Sequence, residues 1–293
     1  ANLGLICDDE FYGFHSPDNR PVGKPGKIEE AARLIVGQGK MAVDLVQTGA
    51  FKKAVSIGGG MHHAKPGYGE GFCIYNDVAF VAKYLIKKYC LRKILVLDTD
   101  AHAGNGTYEY FCEDPRVLFI DLHQDPLTLY PGTGFAYQIG EGEGKGFKVN
   151  VPMPVYAGYD SYSLIFEEIV QPLAQEFRPQ IVIRNGGSDP HFADQLTNLG
   201  LPVSGFRMIG DRVRMIAKMC DEKVIDLIAS GYNKHVLPYA WLALISGLAN
   251  FEIEIKESVA IPNRLRKDHS LAQTKKMIQE VKSSLKHYWS CLN

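Results

Sequence analysis

Residues 93–106 read KILVLDTDAHAGNG, an apolar run that ends in two aspartates, a histidine and a glycine-rich turn. Four consecutive apolar residues without polar alternation suit a strand covered on both faces, the environment of an inner strand in a parallel sheet. The same form recurs along the chain. KKAVSIGGG (52–60), RVLFIDLH (116–123), FKVNVPMP (147–154), PQIVIRNGGSD (179–189) and EKVIDLIASGY (222–232) are further short runs rich in β-branched or apolar residues. Between them lie IEEAARLIVGQGKMAVDLV (28–46), NDVAFVAKYLIKKY (76–89), DSYSLIFEEIVQPLAQEF (160–177) and GFRMIGDRVRMIAKMC (205–220), whose apolar spacing is helical. Asn76, Asp77 and Asp160 are placed as N-terminal caps. Strand and helix in alternation predict an α/β fold, a mostly parallel central sheet with helices on both sides.

No repeat or low-complexity linker interrupts this pattern, so residues 1–293 are expected to form one domain. Residues 263–293 are locally basic and are expected to end in an amphipathic helix that packs Met277, Val281, Leu285 and Trp289 on the body. With 32 basic and 33 acidic side chains the net charge is −1, which gives no reason to expect a nucleic acid or an anionic surface as an obligatory partner. No apolar run is long enough to cross a bilayer. The six cysteines are scattered without a CxxC pair. That spacing suits neither a disulfide framework nor a thiolate zinc site, and a reducing cytoplasm is the expected home.

The ends of the strand-like runs carry the chemistry, because in an open parallel sheet ligands lie beyond the carboxyl ends of the strands. One run ends in His62 and His63, a second in Asp98, Asp100 and His102, a third in Asp189 and a fourth in Tyr232. Side chains two apart on an extended segment share a face, so Asp98, Asp100 and His102 are expected as one row running to the strand tip. Asp100, His102 and Asp189 form a candidate metal-ligand set. Two carboxylates and a neutral imidazole offset most of a divalent charge and leave room for water and substrate. Zinc or iron(II) suits such a set. His62 and His63 are either further ligands or, with a complete set already present, a general acid and base. Each ring then needs an orienting partner, for which Asp98 and Asn105 are the candidates, and the aspartate-partnered ring should be the more basic. Tyr232, after a Ser-Gly pair that permits close approach, can donate to a developing oxyanion.

Several dispersed segments, in order, resemble the histone deacetylase superfamily, which includes acetoin-utilisation proteins and acetylpolyamine amidohydrolases. They are GGGMHHAKPGYGEGFCIYND (58–77), LDTDAHAGNGTYEYF (97–111), LYPGTG (129–134), NGGSDPHFADQLTNLGL (185–201) and SGY (230–232). The resemblance implies an arginase/deacetylase-like three-layer α/β fold and zinc-dependent hydrolysis of an acetylated or other short-acyl lysine or polyamine. By motif, it implies that Asp100, His102 and Asp189 bind the zinc. His62 and His63 would transfer protons, paired with Asp98 and Asn105 respectively, and Tyr232 would polarise the acyl carbonyl. Gly71, Phe72 and Tyr130 would line the channel for the substrate's aliphatic stem, with Leu196 near its rim and Asp9 as the rim carboxylate. A monovalent cation such as potassium is expected near Asp98. Three positions depart from the family pattern. Ala103 stands where a second histidine is usual, Asn105 follows the HGNG rather than the HGDG branch, and the family's opening strand and its HP-Arg segment have no counterpart before Ala1, so either upstream sequence precedes Ala1 or part of the sheet edge and rim has been lost.

Two rival readings differ in what they require. A two-metal ureohydrolase of the arginase or agmatinase type needs extra carboxylates, yet Gly104 lies two beyond His102 and His191 two beyond Asp189. A non-catalytic acyl-lysine-binding protein needs no intact set of acid–base residues. Oligomeric state is open at this level.

Overall fold

The structure, a computed structural model, describes residues 27–293. Asp9, the expected rim carboxylate, lies outside the described residues. In chain order the main elements are α1 (Lys27–Gln47), β1 (Lys53–Ile57), α2 (Asp77–Tyr89), β2 (Ile94–Asp98), α3 (Asn105–Phe111), β3 (Val117–Gln124), β4 (Lys148–Met153), α4 (Tyr159–Ile165), α5 (Gln171–Phe177), β5 (Ile181–Asn185), α6 (Val203–Ala217), β6 (Val224–Ile228), α7 (Leu237–Ala249) and α8 (Leu271–Leu285). All six apolar runs are strands. They form one sheet in the order β1-β6-β5-β2-β3-β4, and every neighbouring pair is parallel.

Alternation along each strand divides the core into two layers. Ile94 and Val96 pack with Val43, Val78, Leu85 and Phe111 from α1, α2 and α3. Leu95 and Leu97 point the other way, into a larger cluster with Tyr162, Leu173, Phe206, Leu244 and Ile278 from α4 to α8. Helix, sheet and helix make three layers, the α/β architecture expected. Every residue of β2, β3, β5 and β6 is buried, whereas β1, the last strand of the sheet among the described residues, leaves Val55 and Ile57 exposed.

The strand order contains a switch. From β2 the chain steps outward to β3 and β4, then returns to β5 on the other side of β2 and continues to β6. The carboxyl ends of β2 and β5 therefore flank the crevice where ligands bind in open α/β sheets.

Of the three expected caps, only Asn76 serves, its Oδ1 accepting from Ala79 N at 2.8 Å. Asp77 is instead fully buried and accepts from Gly60 N and Met61 N at 2.8 and 2.7 Å, fastening the turn after β1. Asp160 does not cap α4. Gly158 holds that position, and the first-turn amides of Gly158 and Ser161 donate to Asp268, 110 and 107 residues away. The helical run 160–177 is broken by a π-helical turn at Phe166–Val170, ahead of Pro172 in the first turn of α5. Proline has no N–H to continue an i to i−4 ladder, which accounts for the bulge. α7 has no amphipathic signature because its LPYAWLALISGLA sequence is apolar nearly all round. The C-terminal α8 buries Met277, Ile278, Val281 and Leu285, and beyond it Trp289 donates from Nε1 to Gly146 O at 2.6 Å. Among the described residues no helix is long and apolar enough to cross a membrane.

Candidate active site

The strand formed by ILVLD ends at Asp98, and the chain then turns rather than continuing extended. Asp98 Oδ1 accepts from Asp100 N at 3.1 Å, and Asp100 Oδ1 accepts from His102 N at 2.9 Å. These are Asx-type turns, and they correct the expectation of a single row. Two-residue alternation stops where the strand stops. Asp98 consequently faces His62, while Asp100 and His102 face Asp189, which the 186–189 turn brings over from β5.

The result is a buried cluster in the crevice between β2 and β5. His102 Nδ1 lies 2.9 Å from Asp189 Oδ2 and 3.1 Å from Asp100 Oδ1. One donor atom from each of the three residues lies within 4.8 Å of the others, and all three residues are buried. No lysine or arginine among the described residues pairs with Asp100 or Asp189; the positive counterparts are the His102 ring and the His62 ring, whose Nε2 is 3.9 Å from Asp100 Oδ1. Burial opposes charge on the His102 ring, but the hydrogen bonds to Asp100 and Asp189 outweigh it and raise the pKa to about 10. Burial, reinforced by the neighbouring Asp100, pushes Asp189 up to about 7. Two carboxylates gathered in a buried site favour positive charge there, and the donors of the set suit a divalent cation. Ser230 Oγ donates to Asp189 Oδ1 at 3.0 Å, and Thr197 Oγ1 donates to the Asp189 carbonyl.

His62 and His63 stand beside this cluster with ring centroids 4.2 Å apart. His62 Nδ1 is 2.8 Å from Asp98 Oδ2, and His63 Nδ1 is 2.8 Å from Asn105 Oδ1. The pairing separates their proton affinities. Burial disfavours the charged form of both, but Asp98 and Asp100 overcome it at His62 and raise that ring to about 9. For His63, burial and the charge on His62 act together and hold the pKa well below the ordinary value. Asp98 is itself fastened by Asn185 Nδ2 at 2.8 Å, its direct neighbour in the β2–β5 register.

A cavity of about 360 Å³ is lined by His62, His63, Gly71, Phe72, Asp100, His102 and Tyr232, together with Met61, Cys73, Leu237 and Trp241. Gly71 lies against His63 so closely that a Cβ there would fall 2.3 Å from His63 Cδ2, at a φ of +55°. Only glycine meets both conditions. Phe72 and Tyr232 face each other across the cavity at 6.4 Å between centroids, and the Tyr232 ring stands edge-on to His102 at the same separation. Asp194 Oδ2 accepts from Tyr232 N at 2.8 Å, and burial raises the Tyr232 phenol well above its ordinary pKa. Tyr130 packs edge-on against His63 at 5.2 Å. Of the expected channel residues Gly71 and Phe72 line this cavity, whereas Tyr130 and Leu196, the latter half-exposed in the loop after Asp189, do not. Sequence reading missed Asn185, Ser230, Asp194 and Glu70. Asn185 had a visible signal, a polar side chain at the tip of a buried strand; the others sit on loops with no pattern.

Residues 14–248 match the histone deacetylase domain. The chain belongs to the histone deacetylase family. Among histone deacetylase relatives, a protein of Archaeoglobus fulgidus named "Probable deacetylase" is 40% identical over 236 residues, 78% of this chain and 65% of that protein. The acetoin utilization protein AcuC of Staphylococcus aureus is 36% identical over 258 residues, 87% of this chain and 65% of the relative. The Bacillus subtilis AcuC is 35% identical over 236 residues, 80% and 60% of the two chains. The chain thus spans 60–65% of the length of these curated relatives. A crystal structure of the HD domain of HDA15 superposes with a TM-score of 0.76 at 28% identity, covering 89% of this chain and 70% of that one. The fold is therefore arginase/deacetylase-like.

Proposed function

We propose that this histone deacetylase-family chain is a metal-dependent amidohydrolase that removes an acetyl or other short acyl group from a lysine-like or polyamine amine. The supporting observation is that Asp100, His102 and Asp189 converge in a buried cluster next to two histidines of opposed proton affinity, and that a phenol opens on the same cavity. Asp100, His102 and Asp189 would hold one divalent cation, zinc or iron(II) by donor type. When bound, the cation supplies Lewis acidity toward the acyl carbonyl and lowers the pKa of water.

The remaining work belongs to side chains. His63 is neutral, with Nδ1 facing the Asn105 oxygen, so its Nε2 lone pair is free to take a proton from the attacking water. His62, kept charged by Asp98, places positive charge beside the site where negative charge develops. Tyr232 Oη donates to the acyl oxygen, and its high pKa keeps the proton on the phenol. The proton held on His63 then passes to the departing amine. Phe72 offers an aromatic wall of the cavity for an aliphatic stem.

The test is acetate release from an acetyl-lysine peptide and from an acetylated polyamine. Chelation should abolish it, and Tyr232→Phe should lower kcat roughly 10²- to 10³-fold, as loss of an oxyanion donor does. Turnover that survives both treatments would sink the mechanism. The ureohydrolase alternative has little support, since His191 is turned away into a contact with Glu257 at 2.9 Å. One bound metal per chain is the expected stoichiometry.

A further inference from the structure

Glu70 holds a position that the roles above do not use. Residues 70–73 form a tight turn in which Cys73 N donates to Glu70 O at 2.8 Å and Glu70 N donates to Cys73 O at 3.0 Å. Both central residues have positive φ, +55° at Gly71 and +66° at Phe72, as a type I′ turn requires. This turn points the Glu70 carboxylate at two other segments. Its Oε1 accepts from Asn105 Nδ2, at the start of α3, at 2.8 Å, and from Tyr130 Oη, in the loop after β3, also at 2.8 Å. Both of those residues touch His63: Asn105 Oδ1 is 2.8 Å from its Nδ1, and the Tyr130 ring stands against it at 74°.

The chemistry of the three groups fixes a direction. A carboxylate accepts hydrogen bonds and donates none, whereas a side-chain amide has one donating and one accepting end. Glu70 takes the donating end of Asn105 and leaves only its oxygen for His63. An oxygen at Nδ1 calls for a proton on that nitrogen, and a neutral imidazole so protonated carries its lone pair at Nε2. Without Glu70 the amide is free to turn over and present N–H to Nδ1. The ring proton would then move to Nε2, the nitrogen that must accept one.

We propose that Glu70 is a positioning residue that orients the Asn105 amide, and through it holds His63 in the tautomer whose Nε2 is free, while tying Tyr130 to the same ring. The inference rests on the reading of His63 as the base, yet the ring tautomer can be measured without substrate. The ring nitrogens of ¹⁵N-histidine-labelled protein are assigned by comparison with a His63→Gln variant. Wild-type protein should show His63 protonated at Nδ1. Glu70→Ala should shift a large fraction to the Nε2–H form and lower kcat at least tenfold with KM changed less than threefold. Glu70→Gln keeps an accepting oxygen and should recover most of that loss, and Tyr130→Phe, which leaves the Asn105 contact in place, should keep the Nδ1–H form. Glu70→Met carries the same measurement if Glu70→Ala fails to fold. A His63 that stays wholly Nδ1–H in Glu70→Ala or Glu70→Met overturns the proposal, as does a tautomer change in Tyr130→Phe as large as in Glu70→Ala. If the tautomer responds as stated while no variant releases acetate from any substrate, the positioning role stands and the proposed reaction falls.

Discussion

His62 and His63 are neighbours in sequence and in space, but they differ in what lies behind them. An aspartate backs one ring and an asparagine the other, so one holds a proton that the other lacks. Replacing Asn105 by Asp would place a negative charge at His63 Nδ1 and favour the imidazolium, raising that ring by about 1–3 pH units. The base must be unprotonated to act. The acid limb of kcat/KM should therefore move to higher pH in Asn105→Asp, and a pH–rate profile unchanged from wild type would show that His63 is not the base. The two partners paired by motif each lie 2.8 Å from their ring. The resemblance did not reach Glu70, because the contact that matters joins residues 35 positions apart through a carboxylate with no helical or strand periodicity around it.

Two pairs of helices show what composition alone does not disclose. α6 and α7 approach so closely that a Cβ on Gly210 would lie 2.1 Å from Leu244 O, and one on Gly247 would lie 2.3 Å from Arg207 O. Each glycine is the space into which the other helix's backbone fits. Gly247→Ala should cost about 1–3 kcal/mol as overpacking, measured by urea unfolding. α1 and α2 are joined at Asp44, whose carboxylate accepts from Lys40, Tyr84, Lys88 and Tyr89. The Lys40 and Tyr89 hydrogen bonds hold it well below the usual carboxylate range. A carboxyl whose folded pKa is depressed contributes stability above its unfolded value, near pH 4, and loses that contribution as pH falls through the folded value. Asp44→Asn should thus reduce the stability lost between pH 6 and pH 2, by no more than about 1 kcal/mol because the group is partly solvated. Thermal unfolding across that range measures it, and equal acid sensitivity in both proteins would refute the assignment. Helix termini were legible where a side chain capped its own helix, as at Asn76, and illegible where Asp268 did so from a distant segment.

Across the molecule, the candidate ligands come from both sides of the sheet's switch point, Asp100 and His102 after β2 and Asp189 after β5. A cation bound there would be absent from the unfolded chain's ledger, and so it should stabilise the fold by mass action, about 2.7 kcal/mol at a hundred times Kd. Adding zinc to metal-free protein should raise Tm, and Asp189→Asn should abolish the rise. A rise of equal size in that variant would place the metal elsewhere.

The sequence by itself determined the class of fold and the residues at its working edge. Short apolar runs rich in β-branched residues and bounded by glycine or charged residues suit strands, and in a parallel sheet all their carboxyl ends point the same way, so the histidines, carboxylates and phenol at those ends share one edge. Tertiary structure decided which group meets which. Whether Asp98 turns to His62 or to a metal, and which end of Asn105 faces His63, depends on where β2 stops, on a β2–β5 register spanning 87 residues, and on a four-residue turn that swings Glu70 inward. Hydrogen bonds are satisfied by whatever the folded chain brings within about 3 Å, and distance along the sequence does not enter that condition.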